Sequence, residues 1–305
     1  MKYLFVVNPV SGKRDAEQKL VPQIREYLRT READCEIVLT QEPGHATELV
    51  RQRAAEGQPL RVMACGGDGT LNEVVAGAVG LEHVAVGIYA CGGGNDYIKC
   101  LGYDEGAFMD VGLLFEGGER KVDLLKVNDR FCVNIVSVGI DADVAAAVDK
   151  YRRIKWLRGP AAYNLGLLEC LLKPSGKQLD ITADGRADSG KYIIVVAANG
   201  RVYGGGYWAA PEAIADDALI DLVVVDNMSL IRMSRIIPTY KKGLHMVDGA
   251  VIPQLSDCVH FERVTSLSLS ADTPLTINLD GEIMHAQSVD ISMMPQALRL
   301  IVPRG

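Results

Sequence analysis

No stretch of this 305-residue chain approaches the run of about 18 uncharged apolar residues that a membrane-spanning helix needs. The apolar run Tyr3–Val7 stops at Asn8-Pro9, too short for a signal-peptide core. Cysteine is sparse and unpatterned: seven residues, an odd number, none in C-x-x-C spacing. That spacing excludes the common zinc and redox motifs and suits free thiols in a reducing compartment, the cytosol. Positive charge is also short, with 32 Lys and Arg against 39 Asp and Glu and a net charge of −7. A broad nucleic-acid footprint is thereby excluded. The glycine turns contain no G-x-G-x-x-G, and G-x-S-x-G is absent, so neither a dinucleotide fingerprint nor a nucleophile elbow is offered. His83, His245, His260 and His285 lack the spacing of a metal site or triad, and His45 reads as structural. Internal repeats and low-complexity segments are absent.

What remains is an ordinary folded composition, 48% hydrophobic and 23% charged, long enough for two domains. In the first 125 residues short apolar runs alternate with helical spacing. Leu4–Val7, Cys35–Thr40, Arg61–Cys65 and Val84–Tyr89 read as strands. Leu20, Ile24 and Leu28 mark one helix, His45–Glu56 another, and Leu71, Val74, Val75, Ala78 and Val79 form a clean amphipathic stripe. The expectation is an α/β domain, 1–125, with a parallel sheet and helices on both faces. Residues 298–305 could return to it. From about Lys121 strand patterns dominate: 121–127, 130–138, 178–183, 192–198, 219–225 and the alternation Ser266–Ala271, with helical inserts near 144–173 and 229–243. This second domain, 126–297, is expected to be mainly antiparallel β and sandwich-like.

Three glycine turns each follow a strand of the first domain: Asn8-Pro9-Val10-Ser11-Gly12-Lys13, Gly66-Gly67-Asp68-Gly69-Thr70 and Cys91-Gly92-Gly93-Gly94-Asn95-Asp96. Any one alone could be a tight connection. Three at successive strand ends on one sheet edge suit a phosphate group, because glycine lets backbone amides approach closely and Asp68 can hold Mg²⁺. Gly185-Arg-Ala-Asp-Ser-Gly190-Lys191-Tyr192 nearly matches a P-loop, but it ends in tyrosine and lies between two strands, so it reads as a hairpin. In Leu275–Asp280 the apolar residues alternate, leaving Asp280 on the polar face. Asp280-Gly281 is by itself either a hairpin turn or a catalytic pair.

Asn8-Pro9-x-Ser11-Gly12, Gly66-Gly67-Asp68-Gly69-Thr70-x-Asn72-Glu73 and Gly-x-Gly-Asn95-Asp96 resemble the diacylglycerol kinase catalytic family, soluble bacterial lipid kinases related to sphingosine and ceramide kinases. Val122-Asp123, Gly139-x-Asp141, Gly204–Gly206, Asp216–Asp221 and Leu279-Asp280-Gly281-Glu282 extend the resemblance over essentially the whole chain. It implies a kinase that moves the γ-phosphoryl of Mg-ATP to a lipid hydroxyl, with diacylglycerol the favoured acceptor. NAD or another soluble hydroxyl compound is the second acceptor, and a silent nucleotide- or lipid-binding module the third reading.

The resemblance implies ATP at Asn8, Pro9, Ser11, Gly12, Lys13, Thr40, Gly66, Gly67, Asp68, Gly69, Thr70, Glu73, Gly92, Gly93, Asn95 and Asp96. It implies catalytic Mg²⁺ on Asp68, Asp96 and Glu282, Asp280 as the base, Asp123 in the same acidic network, and a structural Mg²⁺ held by Asp217 with Ile214 and Leu219. Three positions depart from the pattern: Ala90 for proline, Gly93 for threonine, Ala218 for glycine. The lost threonine hydroxyl removes one hydrogen bond, about 0.5–1.5 kcal/mol or at most about tenfold in affinity. Lys150, Arg152, Arg153, Lys155 and Arg158 around Trp156 are expected to meet the membrane surface where the lipid resides, and a homodimer is compatible with the chain.

Overall fold

The computed structural model describes residues 1–12, 16–29, 31, 33–152, 165, 170 and 176–304, and the side chains of 16 and 148–152 lie outside that set. The chain divides into two compact units: Met1–Leu124 with Ala215–Asp217 and Met294–Gly305, and Leu125–Ile214 with Ala218–Met293.

In the first unit β1 (Lys2–Val7), α1 (Ala16–Leu28), β2 (Asp34–Leu39), α2 (His45–Ala54), β3 (Leu60–Gly66), α3 (Asp68–Ala78) and β4 (Val84–Ala90) follow one another, with α4 (Val111–Phe115) beyond two short 3₁₀ turns. The strands pair in parallel in the order β2-β1-β3-β4. β3 and β4 are buried at every residue. β4 is the continuous apolar run expected of a strand with no solvent face, while in β3 the buried Arg61 donates to Glu119 and to the carbonyls of Phe115 and Gly117. α3 buries Leu71, Val74, Val75 and Ala78, the stripe read from the sequence. From the adjacent β1 and β3 the winding departs in opposite directions, the switch point at which such sheets open a crevice beyond their carboxyl ends. Register levels the exits: Val7 lies beside Cys65, and Cys65 beside Tyr89. The three glycine turns therefore leave the sheet at one height.

Downstream come β5 (Gly118–Val127), β6 (Arg130–Cys132), β7 (Ile135–Gly139), α5 (Ile140–Arg152), β8 (Lys177–Ala183), β9 (Arg186–Ala198), β10 (Val202–Tyr203), β11 (Tyr207–Trp208), β12 (Ile220–Asp226), α6 (Leu230–Lys241), β13 (Met246–Val247), β14 (Ala250–Val251), β15 (Val259–Val264), β16 (Ser266–Leu279) and β17 (Glu282–Val302). In the second unit antiparallel pairs run β15-β12-β9-β7-β16-β17. Alternation along β12 sends Leu222 and Val224 into one core and Val223 and Val225 into another, the two-layered packing of a sandwich. The end of β17 belongs to the first unit, where Arg299–Ile301 pair in parallel with Ala85–Gly87.

Three local outcomes bear on the site. The single strand expected over 130–138 is broken into β6 and β7, because the amides of Val133, Asn134 and Ile135 turn to the Asp280 carboxylate instead of continuing one ladder. The near-match to a P-loop begins in a hairpin turn but is mostly strand: Asp184 (φ 43°) and Gly185 (φ 79°) form a two-residue turn with Ala183 opposite Arg186, and residues 186–192 run on inside β9 rather than between strands. The helix expected from 144 begins at Ile140, and most of its expected continuation, with the basic cluster Arg153, Lys155 and Arg158, lies outside the described residues.

Candidate active site

The first turn is tied to the end of β3 and to the second turn. Asn8 N donates to Cys65 O (2.9 Å), Asn8 Oδ1 accepts from Val10 N (3.1 Å), and Asn8 Nδ2 donates to Thr70 Oγ1 (3.1 Å). Cys91 N donates to Gly66 O (3.1 Å), joining the third turn to the second. A Cβ at Gly12 (φ +60°) would stand 2.4 Å from Cys91 O, and one at Gly92 would stand 2.3 Å from Gly67 Cα. Only glycine permits that approach. Backbone packs on backbone, and the turns meet beside the N-terminus of α3, an arrangement suited to a phosphate chain. Asn95 (φ 49°) closes the third turn on itself, its Oδ1 accepting from Gly92 N (3.0 Å) and its Nδ2 donating to Gly92 O (3.1 Å).

Asp68 opens α3, and its Oδ1 accepts from Asp96 N (2.9 Å) and Tyr97 N (3.4 Å). Burial, and then the negative charge of Asp96, push its carboxyl above the usual range. Lys99 Nζ donates to Asp96 Oδ1 (2.7 Å) and Gly94 O (3.0 Å). Of the other expected nucleotide residues, Ser11 N donates back to Asn8 O (3.2 Å), Thr40 N donates to Val7 O (2.9 Å), and Gly69 and Gly93 face open space. The Glu73 carboxylate accepts from Ala46 N (3.2 Å) and so serves the first turn of α2. Lys13 lies outside the described residues. Asp123 is fully buried, and its Oδ1 accepts from Gln296 N (2.7 Å).

In the second unit Asp280 (φ 49°) and Gly281 (φ 94°) form the two-residue turn between β16 and β17, with Leu279 opposite Glu282. Asp280 is nevertheless more than a turn residue. Its Oδ2 accepts from Val133 N (2.8 Å) and Asn134 N (3.3 Å), and its Oδ1 accepts from Ile135 N (2.9 Å). Glu282 forms an ion pair with Arg130.

Residues 2–127 match the model described as the diacylglycerol kinase catalytic domain, and 134–302 match the YegS C-terminal NAD kinase beta sandwich-like domain. A Chromohalobacter salexigens protein described as a probable YegS-like lipid kinase is 31% identical over 93% of this chain and 90% of its own. The chain belongs to the YegS-like lipid kinases of the diacylglycerol kinase family. A Staphylococcus carnosus diacylglycerol kinase is 25% identical over 98% of this chain and 94% of its own. In fold, a solved diacylglycerol kinase structure from Bacillus anthracis superposes with a TM-score of 0.70 at 20% identity, covering 98% of this chain and 96% of that one. Among the described residues no helix is long and apolar enough to cross a membrane.

A family of this kind implies a divalent metal, and the first unit can be tested for its fit. Asp68 Oδ2 and Asp96 Oδ2 both face the point where a Gly94 Cβ would stand, at 3.1 and 3.5 Å. The buried Asp96 and half-buried Asp68 carboxylates converging on a space that glycine leaves open form an all-oxygen donor set, which suits a hard cation. Among the described residues no group of three His, Cys, Asp or Glu side chains is poised as a ligand set. At the second metal position expected from the resemblance, Asp216 pairs with Arg120 (3.6 Å) and the Ile214 side chain is exposed. Ala218 keeps the left-handed backbone that the family's glycine would supply, at φ +64°. Sequence reasoning missed Lys99 and Arg130, the cations beside Asp96 and Glu282. The spacing of Lys99 three residues after Asp96 was a usable signal, whereas Arg130 lies 152 residues from its partner.

Proposed function

We propose that this protein is an ATP-dependent lipid kinase that moves the γ-phosphoryl group to a lipid hydroxyl, with diacylglycerol as acceptor and phosphatidic acid as product. One observation carries the reading: three glycine turns packed backbone to backbone at level strand ends, with Asp68 and Asp96 facing one glycine-lined space. The names of the relatives supply the acceptor class. In this reading residues 1–125, with 298–305, bind nucleotide beneath a parallel sheet covered on both faces, and 126–297 handle the lipid at the inner membrane surface.

Phosphoryl transfer asks the protein chiefly for positioning and charge neutralisation. The amides of the three turns and the N-terminus of α3 would hold the triphosphate, with Lys13 and Thr40 beside it. Asp68 and Asp96 would hold the magnesium ion, joined by Glu282 if it leaves Arg130, and the ion would neutralise phosphate charge. The lipid oxygen forms a bond to the γ-phosphorus while the bond to the leaving ADP oxygen breaks, and Asp280 takes the hydroxyl proton. The amides that fix Asp280 aim it without adding charge, and Asp123 supports the acidic network. Asp217, with the carbonyls of Ile214 and Leu219, is proposed as a structural metal site.

The NAD kinase-like description of the C-terminal model keeps a soluble acceptor as the second reading. Labelled ATP offered with a mixed lipid extract and NAD separates the two. Labelled phosphatidic acid is expected, labelled NADP would transfer the assignment to the soluble acceptor, and no labelled product would refute the kinase reading.

A further inference from the structure

Residues 227–247 contain no Asp or Glu in a chain of net charge −7, and they carry Arg232, Arg235, Lys241 and Lys242. α6 occupies the middle of this segment, with Ser229 as its N-cap. Its inner face is accounted for: Met233 and Tyr240 are buried, and Ile236 packs on the core behind them. The outer stripe is Ile231, Arg235, Pro238 and Lys242, spaced i, i+4, i+7 and i+11.

That stripe is not an ordinary solvated face. Ile231 is 69% exposed, Leu230 42%, Leu244 57% and Val247 54%. Four of the nine large exposed apolar side chains among the described residues thus fall within this one segment. Their cationic neighbours differ in availability. Arg232 is committed to Asp257 at 2.7 Å, and Lys241 lies over the Tyr207 ring at 5.0 Å. Arg235 and Lys242 have no ion-pair partner among the described residues. Apolar groups at the start of α6 and in the turn after it, flanked by the unpaired cations Arg235 and Lys242, match the interfacial pattern: apolar side chains enter the headgroup boundary while cations meet anionic headgroups.

We propose that α6 and the turn after it form a docking surface for an anionic lipid bilayer, with Leu230, Ile231 and Leu244 inserting and Arg235 and Lys242 meeting the headgroups. The choice of a bilayer as occupant rests on the lipid-kinase reading, since a diacylglycerol acceptor resides there.

Flotation of the full chain with phosphatidylcholine vesicles, with and without phosphatidylglycerol, tests it. The wild type is expected to float with anionic vesicles and to be released by salt. Arg235→Glu with Lys242→Glu should weaken that binding more than about tenfold, at about 1 kcal/mol per charge near the surface. Ile231→Ser with Leu244→Ser should weaken binding to both vesicle types. Both variants should keep the wild-type melting temperature and turn over a soluble short-chain diacylglycerol at the wild-type rate, while losing activity on vesicle-borne substrate. Unchanged flotation of both variants overturns the proposal. So does a wild-type dimer that Ile231→Ser dissociates while flotation stays the same, which would give the face to a second copy of the chain. Charge-dependent flotation in a protein that phosphorylates no lipid upholds the docking surface and overturns the kinase reading instead.

Discussion

A single methyl group added at Gly92 or at its neighbour Gly93 should have opposite consequences. At Gly92 a Cβ would stand 2.3 Å from Gly67 Cα, 2.9 Å from Gly67 N and 2.8 Å from Asn95 Oδ1. Comfortable carbon contacts are about 3.5–4.0 Å, so the second and third turns must separate by about 1 Å. Two of the obstructing atoms are backbone and cannot rotate away. Gly67 is the N-cap of α3, and Gly66 O holds Cys91 N, so the displacement spreads to the amides proposed to bind phosphate. Overpacking of this kind costs about 1–3 kcal/mol, and the same loss on ligand binding is a drop of about 5- to 150-fold in affinity. At Gly93 nothing lies within 4 Å of the added atom and the backbone is outside the left-handed region, so Gly93→Ala should stay within about 0.5 kcal/mol. Thermal unfolding and calorimetric titration with ATP measure both effects. If Gly92→Ala binds ATP within twofold of wild type, or Gly93→Ala falls as far as Gly92→Ala, the packed-turn account of the site is wrong.

Because the space at Gly93 is open, Gly93→Thr should restore the family's hydroxyl and tighten ATP binding by up to about tenfold; titration showing weaker binding would contradict this. Asp280→Asn sets an amide N–H₂ against backbone donors, so it should lose about 1–3 kcal/mol of stability in urea unfolding. Turnover should also drop by about 10²- to 10⁴-fold with ATP affinity unchanged, and near-normal turnover would remove Asp280 as the base. Ala218 at φ +64° bears about 1–2 kcal/mol of left-handed strain, partly offset by the lower chain entropy that alanine leaves in the unfolded state. Ala218→Gly should therefore gain about 0.5–1 kcal/mol, seen as a higher urea midpoint. His245 is buried with Nε2 on Ala209 O (3.0 Å) and Nδ1 without a partner, and burial lowers its affinity for a proton. The unfolded chain takes up that proton first as pH falls, so the contribution is complete above the usual histidine value of about 6.5 and is lost below it. Across pH 7 to 5 the wild type should lose more stability than His245→Gln in parallel urea titrations.

Part of the first unit was legible because β3 and β4 are buried along their length. Val84–Ala90 has no solvent face, so its continuous apolar spelling is a direct record of the environment. The stripe on α3 was legible for the complementary reason, one face in and one face out. Register was not spelled, and register is what brings the three turns level. The break after Cys132 was hidden because its cause, the Asp280 carboxylate, lies about 145 residues downstream. β17 was hidden for another reason. It pairs first with β16 in antiparallel and later with β4 in parallel, so its buried face changes along the strand and no single period runs through it. Glu73 shows a second kind of hidden partner: the motif marks the residue, and its carboxylate accepts from Ala46 N at the start of α2.

Three acids of the proposed site, Asp68, Asp123 and Asp280, share a feature that no motif can display, whereas Asp96 and Glu282 meet the cations Lys99 and Arg130. Asp68 Oδ1 is held by the amides of Asp96 and Tyr97, Asp123 Oδ1 by the amide of Gln296, and Asp280 by the amides of Val133, Asn134 and Ile135. These amides come from segments between 28 and 173 residues away. Backbone donors fix a carboxylate's direction at little cost in mobility, which is what a reaction dependent on positioning demands of its acids. They also leave no identity in the sequence, because any residue except proline supplies the same N–H. A motif therefore reports which acids are present, while their aim is a property of the fold. Conservative acid replacements in this protein should be judged by the amides they abandon as much as by the charge they keep.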